Sequence, residues 1–214
     1  MKRRFVFAVP AALGILLLSF AWRAEWVHAA EIGLMLWLRS LAAPLLTDIV
    51  VALTALGNPS AMAATIVLVG LLSSALRGHI TGAVRLAAAT LLAFVLSEGI
   101  KWLVERPRPD VVMHLAEAHG YSFPSGHATV AFALWGGLAW RLWWNRHLGL
   151  CTRVAARGRT VAAFLCGLLA VAITLTRPYL GVHWPTDSLA GALLGIGSAA
   201  LVDVAMRRRG EEEV

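Results

Sequence analysis

The chain has 214 residues, a formal net charge of +7, 59% hydrophobic residues and a mean hydropathy of +0.72. Soluble domains hold about 45–50% apolar residues; the excess here gathers in long runs, which excludes a soluble globular protein and points to an all-α integral membrane protein. The positive charge sits at the ends of apolar runs and forms no aromatic-interleaved stripe, which argues against a nucleic-acid surface.

In chain order, Lys2, Arg3 and Arg4 precede an apolar run that ends at Trp22. A secretory signal would end in small residues at a cleavage site. Trp22, Arg23, Glu25 and Trp26 stand there instead, so the run reads as an uncleaved first span. Six segments are long enough, at about 1.5 Å per residue, to cross a core of about 30 Å: 5–22, 60–76, 84–103, 125–142, 160–176 and 187–206. The region 30–57 holds two apolar pieces, 31–41 and 44–56, broken at Pro44 and carrying Arg39 and Asp48. Each is too short to span and reads as an interfacial or re-entrant helix, with one fused seventh span as the alternative.

Charge arbitrates between six and seven. The six-span layout leaves 13 of the 19 Lys and Arg residues on the side of both termini. The remainder, Arg23, Arg39, Lys101, Arg106, Arg108 and Arg177, lie opposite. Positive-inside bias then places both termini in the cytoplasm. A seventh span would move the N-terminal cations to the poorer side. Cys151 and Cys166 match no metal pattern, and their settings, a basic loop and an apolar run, argue against a disulfide. No repeat or linker divides residues 1–214, which read as one domain. The run 140–146, "WRLWWNR", reads as an aromatic belt at the cytoplasmic edge.

Three stretches on the outer side carry chemistry. In "KWLVERPRPD", Lys101 and Arg108 stand seven apart, with Pro107 and Pro109 stopping the helix. Alone they read as cations snorkelling to the interface. In "YSFPSGHATV", Ser125 is placed to cap a helix, Gly126 lets backbone approach a ligand, and His127 falls in the first turn. Unsatisfied N–H groups and the helix dipole make such a start attractive to phosphate; alone, it is also an ordinary capped helix. In "TRPYLGVHWPTD", His183 and Asp187 are four apart, one turn if a helix starts near Pro185. A carboxylate on one imidazole nitrogen leaves the other free to attack, and Arg177 offers a fork of donors for phosphate oxygens.

Lys-x6-Arg-Pro at Lys101, Arg108 and Pro109, Pro-Ser-Gly-His at Pro124–His127, and Arg-x5-His-x3-Asp at Arg177, His183 and Asp187 together resemble the three-part signature of the type-2 phosphatidic acid phosphatase superfamily. That group includes membrane lipid phosphatases and diphosphatases, soluble acid phosphatases and vanadium haloperoxidases. Each motif is weak alone; the ordered set is specific. One departure is Thr176, where the family commonly has Ser.

The resemblance implies that His183 is a nucleophile oriented by Asp187, and that His127 is the general acid and base. Lys101, Arg108, Ser125, Gly126 and Arg177 would bind phosphate. Three fixed cations suit a phosphate of about −1.5 to −2 charge, so neither a metal nor a cofactor is expected. The expected partner is a lipid phosphate in the bilayer, in a bacterial inner membrane with the site on the extracytoplasmic face. Undecaprenyl diphosphate, phosphatidylglycerophosphate and phosphatidic acid are the candidates, with a lean to the first because of the extra cations. Arg106, His114 and His119 read as solvated, with contact to a second phosphate as the alternative; Glu98 reads as a partner for Lys101 or another span, and Trp184, Tyr179 and Tyr121 read first as interfacial anchors and second as substrate contacts. The rival functions are hydrolysis of small soluble phosphate esters, haloperoxidase chemistry, and lipid or anion transport. The all-span layout opposes the first two. Transporters place their sites near the midplane, often between repeated halves, and neither feature is visible here. The sequence leaves the oligomeric state undetermined.

Overall fold

The computed structural model describes residues 2–77, 80–144 and 153–211, and every regular element among them is helical. Cys151 lies outside the described residues; Cys166 is a free thiol.

The N-terminal third forms two bent helix pairs. Helices α1 (Lys2–Ala21) and α2 (Glu25–Ser40) meet at 93°. Helices α3 (Pro44–Ala55) and α4 (Pro59–Arg77) meet at 57°. Pro44 and Pro59 each stand at a first helical position, where the missing N–H costs nothing and the ring blocks continuation of the preceding helix. The break expected at Pro44 is present, although α2 begins well before the expected residue 31.

Three stretches are each long and apolar enough to cross a bilayer. They are Thr81–Val104, which is α5, Arg157–Tyr179 within α8 (Arg153–Tyr179), and Pro185–Met206 within α9 (Pro185–Glu211). The two N-terminal pairs meet the same standard only as bent units, so length and composition by themselves count three to five spans among the described residues, where six are expected. The expected span 125–142 is helical but interrupted. It consists of α6 (Gly126–Ala131), a π-helical turn over Phe132–Gly136 and α7 (Gly137–Trp144).

Helix α9 is the hub, packed against α1, α5 and α6. Its crossing with α6 depends on two glycines. A Cβ at Gly191 would lie 2.5 Å from the Ser125 carbonyl oxygen, and one at Gly195 would lie 2.3 Å from that of Thr129. Small residues four apart bring two backbones this close within a membrane bundle. The approach lets the Ser125 N–H donate to the Asp187 carbonyl at 3.0 Å. The start of α6 is thereby tied to the start of α9, and the second motif to the third. Met62, Leu86, Ala131, Leu134 and Ile173 form an apolar core between α4, α5, α8 and the interrupted helix.

Candidate active site

Helix α5 ends at Glu105, which adopts a left-handed conformation (φ 51°) and donates its N–H to the Lys101 carbonyl at 3.0 Å. Pro107 follows and prevents recovery of the helix. Lys101 therefore stands one turn before the helix end. Its Nζ lies 2.6 Å from Glu98 Oε1, one of the two partners expected for Glu98. The same ammonium approaches the second motif, because a Cβ added to Gly126 would lie 3.7 Å from Lys101 Nζ and 4.0 Å from Ser97 Oγ.

Ser125 occupies the N-cap of α6 as expected, yet its side chain makes no capping bond. Its Oγ is buried without a protein partner, as is that of Ser97. A buried hydroxyl without a partner is costly. Unpartnered hydroxyls on either side of the Gly126 backbone, with the Lys101 ammonium near the same glycine, mark a place suited to an acceptor such as a phosphate oxygen.

Helix α9 begins with half of a capping box: the Trp184 N–H donates to Asp187 Oδ2 at 2.9 Å. His183 sits just before this cap and is buried. Its Nδ1 lies 2.8 Å from the Ser122 carbonyl, whereas Asp187 Oδ2 is 3.6 Å away. The expected carboxylate–imidazole hydrogen bond is thus replaced. A carbonyl only accepts, so Ser122 fixes the proton on Nδ1 and leaves Nε2 unprotonated, with its lone pair as an acceptor. Asp187 acts on the ring as a nearby charge. Ser122 is rigid because its own N–H donates to the Arg106 carbonyl at 2.8 Å and its hydroxyl to the Pro107 carbonyl at 2.9 Å.

Arg108 Nη1 lies 3.3 Å from His183 Nε2. The guanidinium is held there by the carbonyls of Gly120, Val182 and His119, at 2.9, 2.7 and 2.7 Å. Arg177 is buried, donates from Nη1 to Thr54 Oγ1 at 2.9 Å, and keeps an unpartnered buried Nε. Thr176, the departure from the family pattern, places its hydroxyl 3.0 Å from the same Thr54 oxygen. Burial first, then the fields of Arg108, Arg177 and Lys101, hold the His183 imidazole well below its ordinary pKa range, against the opposing bond to Ser122. The ring is therefore neutral at pH 7, the state a nucleophile requires.

His127 Nε2 lies 3.1 Å from Asn58 Oδ1, at the bend between α3 and α4. Gly57 permits that approach, since a Cβ there would lie 2.8 Å from His127 Cδ2.

Several expectations need correction. Arg106 is not solvated: it is 1% exposed, with Nη1 on Asp187 Oδ1 at 2.7 Å and Nη2 on Glu31 Oε2 at 2.6 Å. Trp184 and Tyr179 are buried rather than interfacial. Trp184 Nε1 donates to the Pro107 carbonyl at 3.0 Å, and the Tyr179 hydroxyl lies 2.9 Å from Thr47 Oγ1. His114 and His119 are exposed, as expected.

Glu31, Thr54, Asn58 and Ser97 escaped the sequence reading. An acid inside an apolar helix was the one available signal for Glu31; Thr54, Asn58 and Ser97 carried none. A cavity of about 490 Å³ among Phe7, Leu86, Phe132, Trp140 and Phe164 contains none of the expected site residues.

A buried neutral imidazole whose unprotonated Nε2 faces Arg108, with Arg177 and Lys101 close by, is an arrangement suited to phosphoryl transfer. Residues 82–211 match the PAP2 superfamily, and the chain belongs to that superfamily; its phosphatase relatives mark it as a hydrolase. It is 29% identical over 192 residues to phosphatidylglycerophosphatase B of Bacillus subtilis, across 88% of this chain and 89% of that protein. It is 33% identical over 117 residues to a putative undecaprenyl-diphosphatase, YbjG, of Escherichia coli, covering 53% and 51% of the two chains. The crystal structure of a transmembrane PAP2-type phosphatidylglycerolphosphate phosphatase from Bacillus subtilis superposes with a TM-score of 0.83 at 25% identity, over 94% of this chain and 96% of that one.

Proposed function

We propose that the chain hydrolyses the phosphate of a membrane lipid phosphate or diphosphate through a phosphohistidine at His183. The observation that carries this reading is the His183 ring: Nδ1 bound to a carbonyl at 2.8 Å and Nε2 beside Arg108 at 3.3 Å. Nε2 attacks phosphorus as the bond to the leaving oxygen breaks. His127, protonated once the negative charge of the bound phosphate offsets the surrounding cations, keeps its Nε2–H on Asn58 and donates the Nδ1 proton to that oxygen; it then takes one from the water that attacks the phosphohistidine, releasing inorganic phosphate and restoring both rings. General acid–base help of this kind contributes about 10²–10⁴-fold. Lys101, Arg108 and Arg177, with Ser125 and the Gly126 N–H, hold the phosphoryl oxygens; Asp187 stabilises the positive charge that develops on His183. These side chains meet the charge of the phosphate without a metal ion.

The full-length similarity to a phosphatidylglycerophosphatase supports a glycerophospholipid phosphate as substrate, ahead of the polyprenyl diphosphate favoured by cation number alone. The half-length similarity to a putative undecaprenyl-diphosphatase keeps the latter as the second reading. Six spans, cytoplasmic termini and an extracytoplasmic site in a bacterial inner membrane complete the proposal, supported by the 13-to-6 division of cations. A membrane-impermeant maleimide applied to intact cells should label Met113→Cys, in the exposed part of the 105–125 loop; labelling only after lysis would reverse the orientation.

The enzymatic test compares wild type and His183→Ala, in one detergent, on phosphatidylglycerophosphate, undecaprenyl diphosphate, phosphatidic acid and a water-soluble monoester. Phosphate release should require His183 and give the highest kcat/KM on a lipid. Near-wild-type turnover by His183→Ala would remove the nucleophile. Equal turnover of the soluble ester would remove the lipid preference, and inactivation by a chelator would remove the metal-free claim. Lipid flux across liposomes that persists in His183→Ala would favour a transporter.

A further inference from the structure

The buried ionic chain behind His183 begins outside the residues that match the family. Glu31 lies on α2, is 3% exposed, and its carboxylate is shared between two tasks. Oε2 receives Arg106 Nη2 at 2.6 Å. Oε1 receives the Thr186 hydroxyl at 2.5 Å and the Thr186 N–H at 3.1 Å, at the first turn of α9. Arg106 passes its other nitrogen to Asp187 Oδ1 at 2.7 Å and to Thr186 Oγ1 at 2.7 Å. Its guanidinium lies 4.9 Å from the Trp22 ring centroid and 5.2 Å from that of Trp184. All three charges, Glu31, Arg106 and Asp187, are more than nine-tenths buried.

A buried cation with a single anionic partner forms a neutral pair, which presents little net charge to a third group. Here Arg106 has two. The negative potential of Glu31 offsets much of the Arg106 field, so Glu31, Arg106 and Asp187 together present a net negative charge to His183, which lies 3.6 Å from Asp187. That charge has little to act on while the imidazole is neutral. It gains its value once phosphoryl transfer puts positive charge on the ring, that is, in the transition state. Glu31 also receives the first-turn donor of the helix that carries Asp187, which fixes where the carboxylate stands.

We infer that Glu31 is a positioning residue for the phosphoryl-transfer step, acting through Arg106 on Asp187 and so on His183. The inference rests on the proposed phosphohistidine mechanism. It assigns to the N-terminal helix pair a kinetic function that the three motifs do not contain.

The test measures kcat and KM for lipid phosphate hydrolysis by the full-length protein in detergent. The variants are Glu31→Gln, Glu31→Asp, His183→Ala and, as a charge-loss control on the same helix, the exposed Glu25→Gln. In Glu31→Gln the amide oxygen can still accept from Thr186, but the charge is gone. Its kcat should fall on the order of tenfold or more, with KM within about twofold. Glu31→Asp keeps the charge and should lie between Glu31→Gln and wild type; Glu25→Gln should match wild type. An unchanged kcat in folded Glu31→Gln overturns the inference, as does an equal rise in KM alone. If Glu31→Gln does not fold, Glu31→Asp carries the test: the inference requires a reduced kcat with KM within about twofold, and full activity in Glu31→Asp overturns it. His183→Ala separates the two levels. If that variant is active, the phosphohistidine reading has failed; if it is inactive while Glu31→Gln is fully active, only the role of Glu31 has failed.

Discussion

The stretch 101–187 and the first 60 residues contribute to the site in different ways. The first supplies groups that would touch the phosphate: Lys101, Ser125, Gly126, His127, Arg108, Arg177 and His183. The second supplies what stands behind them. Thr54 holds Arg177, Asn58 meets His127, Gly57 makes room for that ring, and Glu31 closes the ionic chain to Asp187. Residues that face substrate are constrained by chemistry and fall into a recognisable spacing. Residues that only hold other residues need a donor or acceptor at one point in space, and many side chains on many elements can provide it.

The sharpest way to break this contrast is His183→Ala. Loss of the nucleophile should lower phosphate release from lipid substrate by about 10³-fold or more, whereas no substitution in the first 60 residues should approach that. A comparable loss from Asn58→Ala would erase the distinction.

Next in size is the packing that joins the second and third motifs. Gly195→Val would push two methyl groups into the backbone of α6, where even a Cβ lies 2.3 Å from a carbonyl oxygen. Overpacking of a tight contact costs about 1–3 kcal/mol. A thermal melt in detergent should show a lower Tm and activity reduced in proportion to folded protein; an unchanged Tm would show that α6 and α9 can part without cost.

Asn58→Ala should then lower kcat on the order of tenfold, because His127 loses the partner that sets its orientation, while KM stays within about twofold. A change confined to KM would instead place Asn58 on the substrate.

The titration of His183 gives a fourth prediction. Its pKa is lowered in the folded protein. Stability from this group is therefore complete above the unfolded imidazole pKa of about 6.5 and is lost as pH falls from there toward the lower folded value. Melting temperature should decline with acidification below about pH 6.5, and His183→Gln should flatten that decline. An equal slope in the variant would mean the ring is solvated.

The smallest effect belongs to Glu98. Its contact with Lys101 is an i,i+3 pair on α5, and its side chain is 43% exposed. Pairs of this kind contribute about 0.2–1 kcal/mol, so Glu98→Gln should change kcat/KM by no more than about fivefold. A larger loss would move Glu98 from the rim of the site to its interior.

By itself the sequence determined the membrane character, the helical class, the superfamily and which residues carry the motifs. Those properties follow from local quantities: run length, hydropathy and the spacing of Lys101, Arg108, Ser125, His127, Arg177, His183 and Asp187. The break at Pro44 was legible for the same reason, since proline acts on its own turn. Only the tertiary structure decided how these groups are wired. It gave the proton on His183 to the Ser122 carbonyl rather than to Asp187, buried Arg106 between Glu31 and Asp187, and took Trp184 and Tyr179 out of the interface. It also showed that, among the described residues, three helices stand alone as spans on length and hydropathy while two more form only as bent pairs. Hydrogen bonds between residues 61 to 155 positions apart leave no periodic trace in a chain. A cation drawn to a span end and a cation sealed between two carboxylates look alike until the helices that carry the carboxylates are packed beside it.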